Sequence, residues 1–277
     1  MVLFALGATL FSGLSDTLTK MAMDGGSRYK AIVYAYAALV LPLVLGALAL
    51  GLPFSFPAEL IPAFIAQSVI GAAAVAALFK AFQHGKASVL APLSTSYILI
   101  VMAIGIFFFG ETLSLLQFGG AALVLLAAMV LAFEEIRSFR LEKGAAYLLI
   151  TVIGWGYYYS FIKLFIPALG AYMATVYLEL GVSLFVVLYY LARGRDLSLP
   201  SREQGGLIAV RGIAVFLATV LYTFSVAELG VALTSVIVAA TPLVSVPSSY
   251  FLLGERLSLP KYAAAILIVL GLVLVLA

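Results

Sequence analysis

The sequence predicts an all-α integral membrane protein with about ten transmembrane helices, built as two inverted five-helix repeats. Hydrophobic residues make up 65% of the chain and charged residues only 10%, and the mean hydropathy is +1.22. Soluble domains carry about 25% charged residues. The apolar residues form long continuous runs, which favour helices over the short alternating strands of a membrane β-barrel. A motif repeated half a chain apart predicts the repeats.

Ten candidate spans follow one another, separated by short segments rich in glycine, proline or charge. They run roughly over residues 2–23, 30–51, 58–83, 87–109, 115–133, 144–166, 171–192, 205–228, 231–253 and 259–277. The first span is not interpreted as a signal peptide, because it contains Asp16 and Lys20 and no basic segment precedes it.

The repeat is clearest in the motif Gly110-Glu111-Thr-Leu-Ser, which returns 144 residues later as Gly254-Glu255-Arg-Leu-Ser. The earlier parts of the two halves align more weakly, with Gly13 and Lys20 matching Gly156 and Lys163. We therefore expect one repeat over 1–137 and a second over 138–277. Because each half has an odd number of spans, the second copy starts on the opposite side of the membrane, an arrangement associated with alternating-access carriers.

The segment Gly85-Lys-Ala-Ser-Val-Leu-Ala-Pro-Leu, leading into the first Gly-Glu-x-Leu-Ser motif, resembles an EamA-type module of the drug/metabolite transporter superfamily. The segment Gly230-Val-Ala-Leu-Thr-Ser, followed by Thr-Pro242-Leu and the second motif, resembles another. The resemblance covers essentially the whole chain. It implies ten helices around a central cavity lined mainly by helices 1, 3, 4, 6, 8 and 9. The spacing from proline to glutamate differs between the modules, and span 2 lacks the mid-helix arginine of many relatives.

Ionisable side chains inside the spans are the first candidates for function, because burying a charge in a bilayer is costly. Asp16 and Lys20 lie four residues apart on one helix, so they can pair with each other or serve a solute or proton pathway. Lys163, as the repeat counterpart of Lys20, and Arg211 join the candidate pathway. Glu179 lies in span 7, outside the family's cavity, and we expect it to form an ion pair with a neighbouring helix.

Aromatic and amide side chains at mid-span form a second candidate group. Trp155, Tyr158 and Tyr159 lie at i, i+3 and i+4 in span 6, and Tyr97 and Gln67 are also mid-span. Membrane aromatic residues favour the interfaces, so aromatic residues at this depth indicate either a ligand-filled cavity or a packed aromatic core. The sequence leaves both interpretations open.

The repeated glutamates Glu111 and Glu255 are interpreted as structural helix-end residues. Each precedes a predicted helix start, where the first N–H groups lack partners, so each is expected to cap the helix that follows it. The sequence shows no phosphate-binding loop, no metal-ligand spacing and no nucleophile elbow. We therefore expect no enzyme activity, no cofactor, no metal and no nucleic-acid partner.

These observations predict a secondary transporter or exporter of a small organic metabolite, such as an amino-acid-like or other polar or amphipathic solute. Protons are the candidate coupling ion, and the protein is expected to be a monomer or weak homodimer in lipid. Two alternatives remain open. The first is a flippase for lipid-linked intermediates on the same fold, and the second is a structural membrane protein with no cargo.

The loop charges predict the orientation in a prokaryotic cytoplasmic (inner) membrane. Each connection is numbered by the span that precedes it. The odd-numbered connections and the residues beside them hold 11 of the 15 basic residues, whereas the even-numbered connections and the termini hold none. They are Arg28, Lys30, Lys86, Arg137, Arg140, Lys143, Arg193, Arg195, Arg202, Arg256 and Lys261. Basic residues in short loops mark the cytoplasmic side, so both termini are expected outside, against the common arrangement in ten-span relatives.

Overall fold

The computed structural model describes residues 1–24, 26–84, 94, 96–136, 141–254 and 259–277, and within these ranges all regular structure is helical. Two short 3₁₀ segments, Ala58–Leu60 and Ile162–Leu164, adjoin α3 and α6. The α-helices of the described residues are α1 (Val2–Asp24), α2 (Arg28–Ala49), α3 (Ile61–His84), α4 (Tyr97–Phe107), α5 (Leu115–Ile136), α6 (Leu141–Phe161), α7 (Ile166–Ala192), α8 (Arg202–Leu229), α9 (Val231–Val238), α10 (Pro242–Leu253) and α11 (Leu259–Leu276).

The helices follow the predicted spans closely, with one clear difference. The ninth span, 231–253, is divided into α9 and α10. The break precedes Pro242, which lies at the first turn of α10 and has no N–H to continue the hydrogen-bond ladder of α9. Six helical segments of the described residues are long and apolar enough to cross a membrane, alongside shorter apolar helices. The count of ten spans remains a prediction, because residues 85–93 and 95 lie outside the described ranges.

Helices of the two halves pack mainly against each other, and the pairs match when the halves are exchanged. The pair α1–α8 corresponds to α6–α3, and the pair α2–α8 corresponds to α7–α3. The pairs α2–α7, α4–α9 and α5–α11 each join equivalent helices of the two halves. The repeated sequence therefore produces a repeated structure, in which each half completes the packing of the other.

The repeated glycines of span 1 and span 6 show this correspondence at the level of single residues. A Cβ placed on Gly13 would lie 2.6 Å from the Cβ of Val244, and one placed on Gly156 would lie 2.6 Å from the Cβ of Ile100. Val244 and Ile100 are themselves 144 residues apart. In both halves a glycine therefore allows the first helix to approach the other half closely: α1 approaches α10, and α6 approaches α4.

The last helices of the two halves, α5 and α11, also meet at glycines. A Cβ on Gly271 would lie 2.7 Å from the backbone oxygen of Gly120, and a Cβ on Gly120 would contact the backbone oxygen of Gly271. The two backbones therefore touch, in the manner of small-residue helix contacts in membranes.

The outer surface of the bundle is covered by large apolar side chains. Exposed leucines, isoleucines and valines follow the outward faces of α2, α5, α7, α8 and α11; examples are Leu41, Leu45, Leu126, Leu184, Ile213, Ile266 and Val273. Apolar side chains are stable against hydrocarbon. Helices also satisfy their backbone hydrogen bonds internally, as a bilayer requires. The protein is therefore an integral membrane protein.

Candidate functional site

A cluster of aromatic rings lies at mid-depth between α4, α6 and α8. The rings of Tyr97 and Tyr159 are stacked with centroids 5.1 Å apart, and Trp155 meets Tyr97 edge-on at 5.8 Å. Tyr222 of α8 lies 5.0 Å from Tyr159 and donates a hydrogen bond from its hydroxyl to the Tyr159 carbonyl oxygen. Tyr158 is edge-on to Tyr159 at 5.4 Å. The structure thus brings the four aromatic residues predicted from the sequence into one cluster.

Part of this cluster is packed and part is accessible. Tyr97, Tyr158 and Tyr222 are buried, whereas Trp155 and Tyr159 are half-buried. Gln67 of α3 is fully buried and donates from its side-chain amide to the Tyr158 carbonyl oxygen. This hydrogen bond joins α3 to the backbone of α6 at the residue that carries the Tyr158 ring.

Asp16 is exposed although it lies well inside α1. At about 100° per residue, it shares a face with Ala5, Thr9 and Gly13, all of which are buried against protein. The exposed leucines of α1, Leu3 and Leu10, lie about 120° or more around the helix. The accessible surface of Asp16 therefore faces a space inside the bundle and not the lipid.

Arg211 lies opposite Asp16, about 14 Å along α8 from the start of that helix. Its Nε donates to the Thr19 hydroxyl at 2.8 Å, and its guanidinium interacts electrostatically with Tyr36, Asp16 and Glu179. Arg211 is thus a shared cation for two carboxyl groups on different helices. Lys20 is half-buried on α1, and its predicted pairing with Asp16 remains a prediction.

Glu179 lies in the long part of α7 that follows a break at Gly170 (φ +72°), and it is only 6% exposed. Its Oε1 accepts a hydrogen bond from the Tyr158 hydroxyl at 3.2 Å. The sequence predicted an ion pair with a neighbouring helix. Within the described ranges its hydrogen-bond partner is the phenol of Tyr158 on the neighbouring helix α6, and the ion pair remains a prediction.

Glu111 caps a helix, but not the one predicted. The sequence suggested the following helix, α5, whereas the Glu111 carboxylate accepts from the backbone N–H groups of Val231 at 2.9 Å and Ala232 at 2.7 Å. These are the first residues of α9, in the other half of the chain. Gly230 precedes them with φ +82°, a conformation that favours glycine, and a Cβ there would lie 2.5 Å from the Glu111 carboxylate. The capping interaction therefore ties the two repeats together.

The start of α5 has its own cap, which explains why it does not need Glu111. Ser114 accepts a hydrogen bond from the Gln117 backbone N–H, and the Gln117 side chain accepts one from the Ser114 backbone N–H. This reciprocal pair is a capping box.

Lys163 forms an ion pair with Glu111 at 2.5 Å and lies 5.0 Å from the centre of the Phe109 ring. The carboxylate also interacts electrostatically with Tyr222. The ion pair is therefore on the Tyr222 side of the aromatic cluster. Glu255, the repeat counterpart of Glu111, lies outside the described residues.

Sequence analysis missed three residues of the site, namely Thr19, Tyr36 and Tyr222. Each lies in an apolar span. Hydropathy and spacing do not show which of the 15 tyrosines, or which of the threonines, face the interior of the bundle. For Tyr222 the only signal in the sequence is its depth, since it lies inside span 8 and not at either end. In the part of the chain that the structure describes, no three His, Cys, Asp or Glu residues are grouped to hold a metal ion.

Comparison with known proteins gives a family and a fold. Residues 1–133 and 142–277 each match the EamA-like transporter family. No curated protein matches the chain. One solved structure, described only as a crystal structure of a protein, is similar to it with a TM-score of 0.83 and 17% sequence identity, over 99% of this chain and 97% of that chain. At this identity the similarity shows a shared fold.

Proposed function

The chain belongs to the EamA-like transporter family, which matches nearly its whole length, and from that premise we propose which solute it carries and how. The family implies a membrane transporter of small solutes. We propose that this member moves an amino-acid-like solute, with both a positive and a negative group, by alternating access between its two repeats.

The observation that carries the proposal is the accessible Asp16 carboxylate facing the inside of the bundle, with Arg211 opposite. A solute ammonium group would bind Asp16, and a solute carboxylate would bind the guanidinium of Arg211, which can form two parallel hydrogen bonds to a carboxylate. The half-buried rings of Trp155 and Tyr159 would contact the apolar part of the solute. A cavity with a few polar groups among aromatic walls is typical of small-molecule sites.

The direct test is transport by the purified protein in proteoliposomes, with a panel of radiolabelled amino acids, amines, sugars and nucleosides, with and without a pH gradient. We expect uptake of amino acids and much weaker uptake of amines that lack a carboxylate. Equal transport of neutral sugars, or no transport of any amino acid, would contradict the proposal. The exposed glutamate variant Glu59→Gln serves as the matched control for the site variants below.

We further propose that both termini lie outside the cell. The proposal rests on the 11 basic residues in and beside the odd-numbered connections. The chain has no cysteine, so single cysteines at the exposed residues Ser55 and Ser201 report the two faces separately. In intact cells an impermeant maleimide is expected to label Ser55→Cys and not Ser201→Cys. The reverse pattern would show the opposite orientation.

A further inference from the structure

Among the acidic residues whose burial the structure describes, Glu179 alone is buried. Eight residues separate it from the break in α7 at Gly170, and thirteen separate it from the end of the helix, which places it near the centre of the membrane. Its helical neighbours Thr175, Val176 and Val182 are all buried. Water therefore does not reach this carboxyl group from the lipid side or along its own helix.

The groups that interact with Glu179 come from α2, α6 and α8. From α6 come the hydroxyl of Tyr158, which donates to Oε1, and the ring of Tyr159. From α2 comes Tyr36. From α8 comes Arg211.

Arg211 is the one cation among these facing groups, and it does not form a direct ion pair with Glu179. Its Nε is bound to Thr19, and its charge is shared with Asp16. A carboxylate in a low-dielectric interior without a direct cation is strongly disfavoured relative to the neutral acid. In the conformation described here, Glu179 is therefore best satisfied as a carboxylic acid that accepts from Tyr158.

We propose that Glu179 is a proton-binding site that couples the transport cycle to the pH gradient, with the proton as its ligand. This inference rests on the proposed function and deepens it. The proton occupies the Oε2 side of the carboxyl group while Oε1 accepts from Tyr158. When the repeats rearrange and water or Arg211 reaches the group, the O–H bond breaks, the proton passes to water on the open side, and the carboxylate remains. Asp16, which is already accessible, binds solute in the same cycle.

The proton site can be tested without any solute, by infrared spectroscopy of the purified full-length protein during a pH titration. We expect a protonated carboxyl C=O band at neutral pH. Glu179→Gln should remove that band, Tyr158→Phe should shift its frequency through the lost hydrogen bond, and Asp16→Asn should leave it in place. A band that survives Glu179→Gln unchanged would overturn the inference. If Glu179→Gln does not fold, the Tyr158→Phe shift decides, and an unshifted band would overturn the inference.

Coupling is tested in proteoliposomes loaded with the pH dye pyranine, to which an equimolar mixture of amino acids is added. The wild type is expected to change the internal pH, and Glu179→Gln is expected to lose at least about tenfold of that proton flux, a change of about 1.4 kcal/mol. Counterflow exchange of the same radiolabelled mixture should persist in the variant. Proton flux that persists in Glu179→Gln would overturn the inference and leave the proposed function standing. Counterflow that is absent from the wild type would instead overturn the proposed function, and the infrared result would then decide the proton site alone.

Discussion

The interior of the bundle holds two charged regions that differ in how fully their charges are satisfied. At one, Glu111 accepts from Lys163, Val231 and Ala232, so that its carboxylate has three donors. At the other, Asp16 is accessible and Glu179 accepts from a single phenol. Both regions contain acids in apolar helical surroundings, and hydropathy does not distinguish them.

The difference separates structural from functional charge. A carboxylate that already has an ion pair and two backbone donors gains little from a further ligand, and losing it leaves a helix end uncapped. A carboxylate whose partners are few, distant or neutral can bind a solute group or a proton. Four predictions test this contrast, ordered from the largest expected effect to the smallest.

The largest effect is expected for Asp16→Asn. A hydrogen bond between charged groups contributes about 1.5–3 kcal/mol, so the apparent affinity for a transported amino acid should weaken about 10- to 150-fold. The thermal unfolding midpoint in detergent should match that of Glu59→Gln, because Asp16 holds no helix end. Wild-type uptake by Asp16→Asn would move Asp16 into the structural class.

The second effect concerns stability. Glu111→Ala removes the cap of α9 and leaves Lys163 without its carboxylate, which should lower the free energy of unfolding by about 2 kcal/mol. Glu111→Gln should lose less, since its amide oxygen can still accept from one backbone N–H. Thermal unfolding with Glu59→Ala as the control measures both. An unchanged midpoint in Glu111→Ala would show that α9 does not depend on this cap.

A smaller effect is expected for Lys163→Met, which keeps the length of the side chain and removes its charge. Glu111 keeps its two backbone donors, so the variant should lose about 1 kcal/mol of stability or less. Its apparent affinity for amino acids should stay within about twofold of wild type, an energy difference of about 0.4 kcal/mol. A large loss of affinity would place Lys163 in the solute site, as its repeat relation to Lys20 suggests.

The smallest effect is expected at the surface ion pair between Lys30 and Asp196, whose atoms are 3.2 Å apart. Hydrogen bonds from the Ser198 side chain and backbone, and then from Lys30, lower the pKa of Asp196 to about 2. A lowered folded-state pKa gives stability above the unfolded value of about 4, and that contribution is lost as the pH falls toward 2. The Asp196 side chain is 66% exposed, so solvent screening keeps this contribution small. Asp196→Asn should therefore lose a little stability at neutral pH, and its difference from wild type should shrink below about pH 4 and vanish below about pH 2. A difference that grew on acidification would contradict this assignment.

The family and the all-helical membrane fold were predictable from the sequence. The fold follows from long apolar runs, and the family follows from the Gly-Glu-x-Leu-Ser motif that occurs in both halves. The aromatic group was also predictable, since Trp155, Tyr158 and Tyr159 share one face of a single helix. The partners of the charges were not. Glu111 caps a helix that begins 120 residues later, and Arg211 faces Asp16 across 195 residues of sequence. Only the packing of one repeat against the other decides such contacts.

The glycine contact between α5 and α11 shows what a single chain with two repeats permits that a dimer of identical chains does not. In a dimer of two identical five-helix chains, equivalent positions carry the same residue, and each substitution alters the shared contact twice. Here the counterparts of Gly120 and Gly271, 144 residues away, are Ala264 and Ala127, both fully buried. In a single chain each half can keep glycine at a different level of the contact between α5 and α11. The two halves can therefore diverge independently while the join between them stays closed.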